Sequence, residues 1–148
     1  MRAGDIIGQD NVVVGLRVSN KGHLLQELAA RAAKVLSLDR QATFDALHAR
    51  ERHGSTGLGK GFALPHARLA VLDRRFTLFV RLARPIEFVA IDGLPVDLVV
   101  LLLTPASTTN EHLALLAALA RPQRDERFLQ RLRAARDANA LHQLLANV

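Results

Sequence analysis

Apolar residues recur at helical spacing in the first third of the chain. In the segment KGHLLQELAARAAKVL they form a stripe on one face of a helix, and Ser19 precedes the segment as a candidate N-cap. The members of this stripe are Leu24, Leu25, Leu28, Ala32 and Val35. A second helix is predicted over RQATFDALHARERH, because Asp39 is a suitable N-cap and Gly54 stands where a helix commonly ends. Its predicted apolar face consists of Phe44, Ala46 and Leu47.

The middle of the chain changes to nearly continuous apolar runs. Residues 76–83 and 96–103 are predicted strands, and the second run reads as a strand buried on both faces. A shorter extended segment is predicted at 62–64, where the following proline disfavours helical geometry. Between the two long runs, PIEFVAIDGLP indicates a short strand and a turn at Asp92-Gly93.

Helical spacing returns after the last strand. HLALLAALA predicts a third helix, with Thr109 or Asn110 as its cap, and two further helical segments are predicted at 124–134 and 138–145. No internal repeat or linker interrupts this order. We therefore predict an α/β fold in which a single domain, residues 1–148, forms a sheet covered by helices.

Composition restricts the classes of function. Hydrophobic residues make up 49% of the 148-residue chain, which excludes a disordered protein. The absence of cysteine excludes disulfides, thiol catalysis and cysteine-ligated zinc. No apolar run approaches the ~20 residues that a membrane span requires, and MRAGDIIGQD lacks the plan of a secretory signal. These features predict a cytoplasmic protein without membrane insertion.

Much of the net charge of +6 lies after residue 120, in the segment RPQRDERFLQRLRAAR. Such a segment could contact nucleic acid or an acidic partner protein. However, acidic residues are interspersed among the arginines, namely Asp125, Glu126 and Asp137. All six aromatic residues are phenylalanines, so few side chains could stack on nucleic-acid bases. A solvated helix face is the favoured interpretation, and no nucleic-acid partner is expected.

The stretch GSTGLGKG differs at one position from a nucleotide-binding P-loop. Gly54, Gly59 and Lys60 match the pattern, but Gly61 replaces the Ser or Thr whose hydroxyl would bind magnesium. A working P-loop also follows a strand and opens a helix, whereas this stretch follows a predicted helix and leads into Pro65. An ATP or GTP site is therefore not predicted, and the glycines are interpreted as turn residues.

The histidine that follows the glycines suggests another chemistry. His66 comes directly after a proline, whose stiff backbone would present the ring at a strand end. A neutral imidazole is nucleophilic near neutral pH, and Arg50 could donate charge-assisted hydrogen bonds to the oxygens of a transferred phosphoryl group. Ser55 and Thr56 could add hydroxyl donors, and His112 could donate to the phosphate or orient the first ring.

Each of these residues also has an ordinary structural interpretation. His66 could be a loop or core histidine, Arg50 a surface side chain, and His112 part of a helix cap. A zinc site held by two histidines lacks a third ligand and the HExxH spacing, so no metal site is predicted.

The segment RERHGSTGLGKGFALPHARL, residues 50–69, resembles the active-site signature of enzyme IIA domains of the bacterial phosphotransferase system, in the fructose/mannitol superfamily. The resemblance continues through RPIEFVAIDGLPVDLVVLLLTPAS and NEHLALLAALA, and it covers residues 5–148. The segment PIEFVAIDGLPVDLV is most similar to the nitrogen-regulatory branch, which works in a regulatory phosphorelay. The resemblance implies a mixed parallel and antiparallel β-sheet flanked by α-helices.

The resemblance also implies a phosphoryl carrier without a cofactor or a metal. The implied site comprises His66 as phosphoryl acceptor on its ε nitrogen, Arg50 and His112 as supporting groups, and the adjoining loop residues Ser55, Thr56 and Gly57. The implied partners are a small phosphohistidine carrier protein similar to HPr, as donor, and regulatory targets such as kinases or transporters. Two alternatives stay open: a sugar-specific IIA component that passes phosphate to a IIB domain, and a non-catalytic regulatory binding module. The oligomeric state also stays open.

Overall fold

The framework of the protein is a β-sheet between two groups of helices. The computed structural model describes residues 2–147. The strands are β1 (Val12–Leu16), β2 (Gly57–Gly59), β3 (Phe62–Ala63), β4 (His66–Leu69), β5 (Phe76–Ile86) and β6 (Val96–Pro105). The α-helices are α1 (Ala3–Ile6), α2 (Lys21–Leu36), α3 (Arg40–Arg52), α4 (Thr109–Ala120), α5 (Glu126–Ala134) and α6 (Ala138–Ala146), with 3₁₀ turns at Gln9–Asn11 and Arg121–Arg124.

Strand β6 lies at the centre of the sheet. The strands follow the order β1-β5-β6-β3-β2, and β4 also pairs with β6. β6 runs antiparallel to β5 and parallel to β3 and β4. β1 is parallel to β5, and β2 is antiparallel to β3. The α/β class and the mixed sheet flanked by helices are therefore confirmed.

Residues of β6 alternate between two hydrophobic cores, one on each face of the sheet. Leu101 belongs to the core that includes α2 and α3, and Leu102 belongs to the core that includes α1, α4, α5 and α6. Each residue from Leu98 to Leu103 is at most 1% exposed. The prediction of a strand buried on both faces is confirmed, because successive side chains of a strand point to opposite faces.

The first two long helices cover the predicted segments, with a difference at one cap. Asn20, not Ser19, is the N-cap of α2, and its side-chain oxygen accepts a hydrogen bond of 2.8 Å from the His23 amide. Val35, predicted on the apolar face, is 59% exposed in the last turn of this helix. Asp39 caps α3, as predicted.

The helices after the sheet also begin at slightly different residues from those predicted. The N-cap of α4 is Thr108, so the predicted caps Thr109 and Asn110 are wrong. The predicted segment 124–134 is divided into a 3₁₀ turn and α5, which Asp125 caps by accepting a hydrogen bond from the Phe128 amide. None of the helices within residues 2–147 has the length and apolar character needed to cross a membrane.

Strand assignments differ from the predictions in two places. β1, β2 and β4 were not predicted, since each is short, and the glycines of β2 were interpreted as turn residues. The separate strand predicted within PIEFVAIDGLP is wrong, because only Pro85 and Ile86 of this segment are in a strand, at the end of β5. The turn at Asp92-Gly93 is confirmed: Gly93 has a φ of 74°, and its amide donates to the Ala90 carbonyl at 2.9 Å.

The crossing of α1 and α6 leaves no room for a side chain at Gly4. A Cβ at this position would overlap the backbone of Ala146 and lie 2.5 Å from the carbonyl oxygen of Leu145. We therefore expect Gly4→Ala to lower the free energy of unfolding by about 1–3 kcal/mol, because backbone atoms cannot move aside as side chains can. Urea unfolding measures the effect.

Gly8→Ala is the matched control. Gly8 has a φ of −69°, which alanine adopts without strain, and a Cβ there would have no neighbour within 4 Å. Its effect should stay within about 0.5 kcal/mol. Equal stability of the Gly4 and Gly8 variants would contradict the described contact between the two helices.

Candidate functional site

The ring of His66 is held from both of its nitrogen atoms. Nδ1 lies 2.8 Å from the Leu64 carbonyl oxygen, and the Arg50 Nε–H donates to Nε2 at 3.2 Å. Because a carbonyl oxygen only accepts, Nδ1 carries the proton, and the lone pair of the neutral ring lies on Nε2. His66 is also the first residue of β4, where it pairs in register with Leu102 of the buried strand β6. The orientation of the ring is therefore fixed by the sheet.

Arg50 lies in the last turn of α3 and connects this helix to the glycine-rich loop. Besides its bond to His66, its Nη1 donates to the Gly54 carbonyl oxygen at 2.8 Å. The guanidinium thus bridges the end of the helix and the ring. The structure brings these two predicted site residues together, although 16 positions separate them in the chain.

His112 stands in the first turn of α4, next to the ring of His66. Its side chain is largely buried, and the centroids of the two rings are 5.5 Å apart. Nδ1 of His112 lies 2.6 Å from the hydroxyl oxygen of Thr104, a residue that is fully buried in β6. A buried hydroxyl needs an acceptor, so Thr104 donates to Nδ1 and leaves the proton of the neutral His112 ring on Nε2.

Both histidines are held in the neutral form. Burial lowers the pKa of His66, and the Arg50 guanidinium lowers it further, whereas the bond to the Leu64 carbonyl and the Glu51 carboxylate act in the opposite direction. Burial likewise lowers the pKa of His112, with smaller contributions from His66 and Arg68. The site therefore presents an unprotonated ring nitrogen near neutral pH.

An open cleft of about 500 Å³ contains Arg50, His66 and His112 together with Arg68, which sequence reasoning did not single out. Arg68 lines it and donates from Nη1 to the Thr109 hydroxyl at 2.7 Å. The cleft also meets the N-terminus of α4, where unpaired amides and the helix dipole favour negative charge. The arrangement can present a nucleophilic nitrogen beside several donors for an anion.

The predicted loop residues Ser55, Thr56 and Gly57 do not line this cleft. The Ser55 hydroxyl donates to the Phe88 carbonyl oxygen at 3.2 Å, and the Thr56 hydroxyl and amide both donate to the Glu51 carboxylate. A Cβ at Gly57 would lie 2.7 Å from that of Ala90, so a glycine is needed for close packing there. The expected hydroxyl donors are thus engaged elsewhere, and the loop lies behind the site as its support.

Glu51 is the residue that organises this support. Its side chain is 5% exposed and forms an ion pair with Lys21 at 3.1 Å, in addition to its bonds to Thr56. Lys21 also donates to the Phe88 carbonyl oxygen at 2.9 Å and lies over the Phe88 ring. One buried carboxylate thus links the start of α2, the end of α3 and the glycine-rich loop, directly beside Arg50.

The three missed residues carried signals of different strength. Arg68 follows His66 by two positions in one strand, and this spacing places two side chains on the same face. Glu51 lies within the segment that carries the family resemblance, but one carboxylate at a helix end is not distinctive. Thr104 reaches the site only through the long-range register of β4 and β6, which no local pattern reveals.

Comparison with known families gives one match over nearly the whole chain. The family model described as "Phosphoenolpyruvate-dependent sugar phosphotransferase system, EIIA 2" matches residues 5–148. The nitrogen regulatory protein of Bradyrhizobium diazoefficiens is 44% identical over 142 residues, which cover 96% of this chain and 93% of that protein.

Solved structures show the same architecture. The crystal structure of the nitrogen regulatory protein IIA-Ntr from Neisseria meningitidis superposes with a TM-score of 0.90 at 34% identity and covers 96% of this chain and 97% of that chain. Enzyme IIA mannitol from Escherichia coli, solved in complex with phosphorylated enzyme IIB mannitol, gives a TM-score of 0.79 at 20% identity and covers 95% and 97%. At 20% identity, the similarity to enzyme IIA mannitol concerns the fold alone.

The carboxylate of Glu51 provides a test of the support behind the site. In Glu51→Gln, the amide NH₂ would face donors from Lys21 or Thr56, so we expect the free energy of unfolding to fall by about 2 kcal/mol. Chemical denaturation measures this loss. Glu27→Gln is a matched control in α2, since the Glu27 carboxylate has no hydrogen bond or ion pair in the described part of the chain. Equal stability of the two variants would contradict the role assigned to Glu51.

Proposed function

The chain belongs to the EIIA 2 family of the phosphoenolpyruvate-dependent sugar phosphotransferase system, and we propose that it carries a phosphoryl group on Nε2 of His66. The observation that supports this most directly is the bond between Nδ1 of His66 and the Leu64 carbonyl, which leaves the lone pair on Nε2. The nucleophile then needs no general base, because the nitrogen that attacks carries no proton.

The proposed step is an in-line transfer from a phosphohistidine of the donor protein. The lone pair of His66 Nε2 forms the new N–P bond while the bond between phosphorus and the donor nitrogen breaks. The bonding electron pair returns to the donor ring. As the His66 ring loses electron density to phosphorus, its Nδ1–H becomes a stronger donor to the Leu64 carbonyl oxygen at 2.8 Å.

Four features compensate the charge of the phosphoryl oxygens in this proposal. The Nε–H of Arg50, which donates to the His66 lone pair at 3.2 Å, turns to a phosphoryl oxygen when that lone pair is used. His112 donates from Nε2, because the Thr104 hydroxyl occupies its Nδ1. Arg68 and the N-terminus of α4 add positive potential along the cleft.

The partners are proposed from the relatives. The mannitol-specific IIA domain that shares this fold was solved with a phosphorylated IIB partner, which supports protein-to-protein transfer. The relatives with 44% and 34% identity are both named nitrogen regulatory proteins. We therefore propose that an HPr-like phosphocarrier is the donor, and that the phosphorylation state of His66 controls binding to regulatory targets such as kinases or transporters. A phosphoryl group adds about two negative charges beside Arg50, which changes the docking surface.

The two alternative functions make different demands on the protein. A sugar-specific component would pass its phosphoryl group rapidly to a IIB domain, and the names of the relatives favour the regulatory role instead. A non-catalytic binding module would not need the neutral His66 ring, the Arg50 donor and the oriented His112 in one cleft.

The identity of the acceptor can be tested with the upstream phosphotransferase proteins and phosphoenolpyruvate. Wild-type protein should gain one acid-labile phosphoryl group, seen by intact-protein mass spectrometry, and His66→Ala should gain none. His53→Ala, an exposed histidine at the end of α3, should behave as wild type. Labile phosphate that persists on His66→Ala would exclude His66 as the acceptor.

The role of Arg50 can be separated from that of its neighbour Arg52, which is exposed at the end of the same helix. We expect Arg50→Gln to slow phosphoryl acceptance on the order of 10²-fold, because a charged donor to the phosphoryl oxygens is lost. Arg52→Gln should retain the wild-type rate in the same rapid-quench assay. Comparable rates for both variants would refute the proposed role of Arg50.

Arg50→Gln and Arg52→Gln also test the effect of Arg50 on the pKa of His66. Since Arg50 contributes to the lowered pKa of His66, Arg50→Gln should raise the titration midpoint of the His66 ring in NMR, and Arg52→Gln should not. The folded wild-type ring binds its proton less readily than the unfolded chain does. The free energy of unfolding should therefore decrease as the pH is lowered from the ordinary histidine pKa to the lower pKa that His66 has in the folded protein.

A further inference from the structure

A second cleft lies at the opposite end of α4 from His112. It has a volume of about 460 Å³ and is lined by Arg121, Arg124 and Arg131, with Phe128 and Leu144 among the apolar residues. The rise of about 1.5 Å per residue separates His112 from the end of α4 by roughly 12 Å. The cleft is therefore separate from the site of His66, and we name it the arginine cleft.

The packing of α5 explains why arginines border this cleft. Phe128, Leu129 and Leu132 are buried in the core on one side of the sheet, so the rest of the helix surface faces outward. Arg131 follows Phe128 by three positions within α5, which puts the two side chains on neighbouring parts of the helix surface, and Arg124 ends the 3₁₀ turn that precedes the N-cap Asp125. Both arginines border the cleft together with Phe128 and Leu144, which form its apolar floor.

Within residues 2–147, two of the three arginines that line the arginine cleft have no side-chain partner. Arg124 and Arg131 are exposed, and neither side chain has a hydrogen bond or ion pair within residues 2–147. Asp125 is the carboxylate that lines the cleft, and it already accepts a hydrogen bond of 3.1 Å from the Phe128 amide as the N-cap of α5. Guanidinium groups that lie close together repel one another, and a bound anion would relieve this repulsion.

We propose that the arginine cleft binds an acidic segment of a partner protein, one that combines carboxylates with an aliphatic side chain. Arginine binds carboxylates through two parallel hydrogen bonds, and the apolar floor would contact the aliphatic group. Nucleic acid fits less well. Phe128 is 7% exposed and offers too little surface for base stacking, so the aliphatic group would contact chiefly Leu144, which is half-buried.

This surface goes beyond the phosphoryl carrier function and does not depend on it. The bound segment would contact α5 and the 3₁₀ turn Arg121–Arg124, leaving the cleft of His66 open. A partner held at the arginine cleft could therefore stay bound in both phosphorylation states, while other proteins dock at His66.

The experiment uses the full-length, unphosphorylated protein and a fluorescein-labelled peptide of alternating Glu and Leu residues. Fluorescence anisotropy at about 50 mM salt should show binding that weakens as salt screens the charges. The double variant Arg124→Glu/Arg131→Glu should weaken it at least about tenfold, because two attractive contacts become repulsive. Both residues are exposed, so the variant should keep the wild-type circular dichroism spectrum.

The matched control is Arg17→Glu/Arg84→Glu, which makes the same change in net charge at exposed arginines of another cleft. Its affinity for the peptide should stay within about twofold of wild type. Equal losses in the two double variants would overturn the proposal, since they would show an effect of net charge alone. Unchanged binding in Arg124→Glu/Arg131→Glu would also overturn it.

Two further probes test the chemistry of the partner. A peptide in which Gly replaces Leu should bind several-fold more weakly, since it lacks the aliphatic group that contacts Phe128 and Leu144. Equal binding of the two peptides would refute the role of the apolar floor. A single-stranded oligodeoxynucleotide that bound more tightly than the Glu-Leu peptide, and lost affinity in Arg124→Glu/Arg131→Glu, would overturn the assignment to an acidic protein segment.

Discussion

The burial of strand β6 on both faces is the constraint on which the rest of the structure depends. Its aliphatic run cannot meet water on either side, so helices must cover both faces of the sheet, and two separate cores result. The same strand pairs with β4, which places His66 opposite Leu102. Near the end of β6, the hydroxyl of Thr104 contacts the ring of His112. The hydrophobic framework and the polar site therefore share one element.

The site combines groups that would be costly to bury individually. A protonated His66 beside Arg50 would place two positive charges next to each other in a partly buried cleft, and the structure avoids this by keeping the ring neutral. The neutral ring is also the form with a nucleophilic lone pair. Behind it, the single charge of Glu51 is balanced by Lys21 and by the hydrogen bonds of Thr56, which leaves the loop between α3 and β2 firmly attached. The neutral His66 ring thus both avoids repulsion with Arg50 and supplies the lone pair that the proposed phosphoryl transfer needs.

The glycine-rich stretch shows how a local motif depends on its context. Its similarity to a P-loop concerned spacing alone, whereas the elements around it form a short antiparallel pair, β2 and β3, instead of the start of a helix. Gly57 packs against Ala90, and Gly61 accommodates the side chain of Arg133, which forms a bidentate ion pair with Asp97. These glycines allow close packing beside the site. The helix N-terminus that borders the cleft of His66 is instead that of α4, and its amides have the geometry that favours an anion in general.

The sequence by itself determined the α/β class, the positions of the long helices and of β5 and β6, and the segment that carries the candidate histidine. These features depend on local periodicity, on caps such as Asp39 and on a family signature, all of which are continuous in the chain. The tertiary structure alone decided the rest: the pairing of the short strand β4, the proton on Nδ1 of His66, the contact of Thr104 with His112, and the engagement of Thr56 by Glu51. The reason is physical. The pairing of β4 depends on its long-range partner β6, and the contacts of His66, Glu51 and Thr104, although short in sequence, need a backbone geometry that the assembled sheet and helices impose.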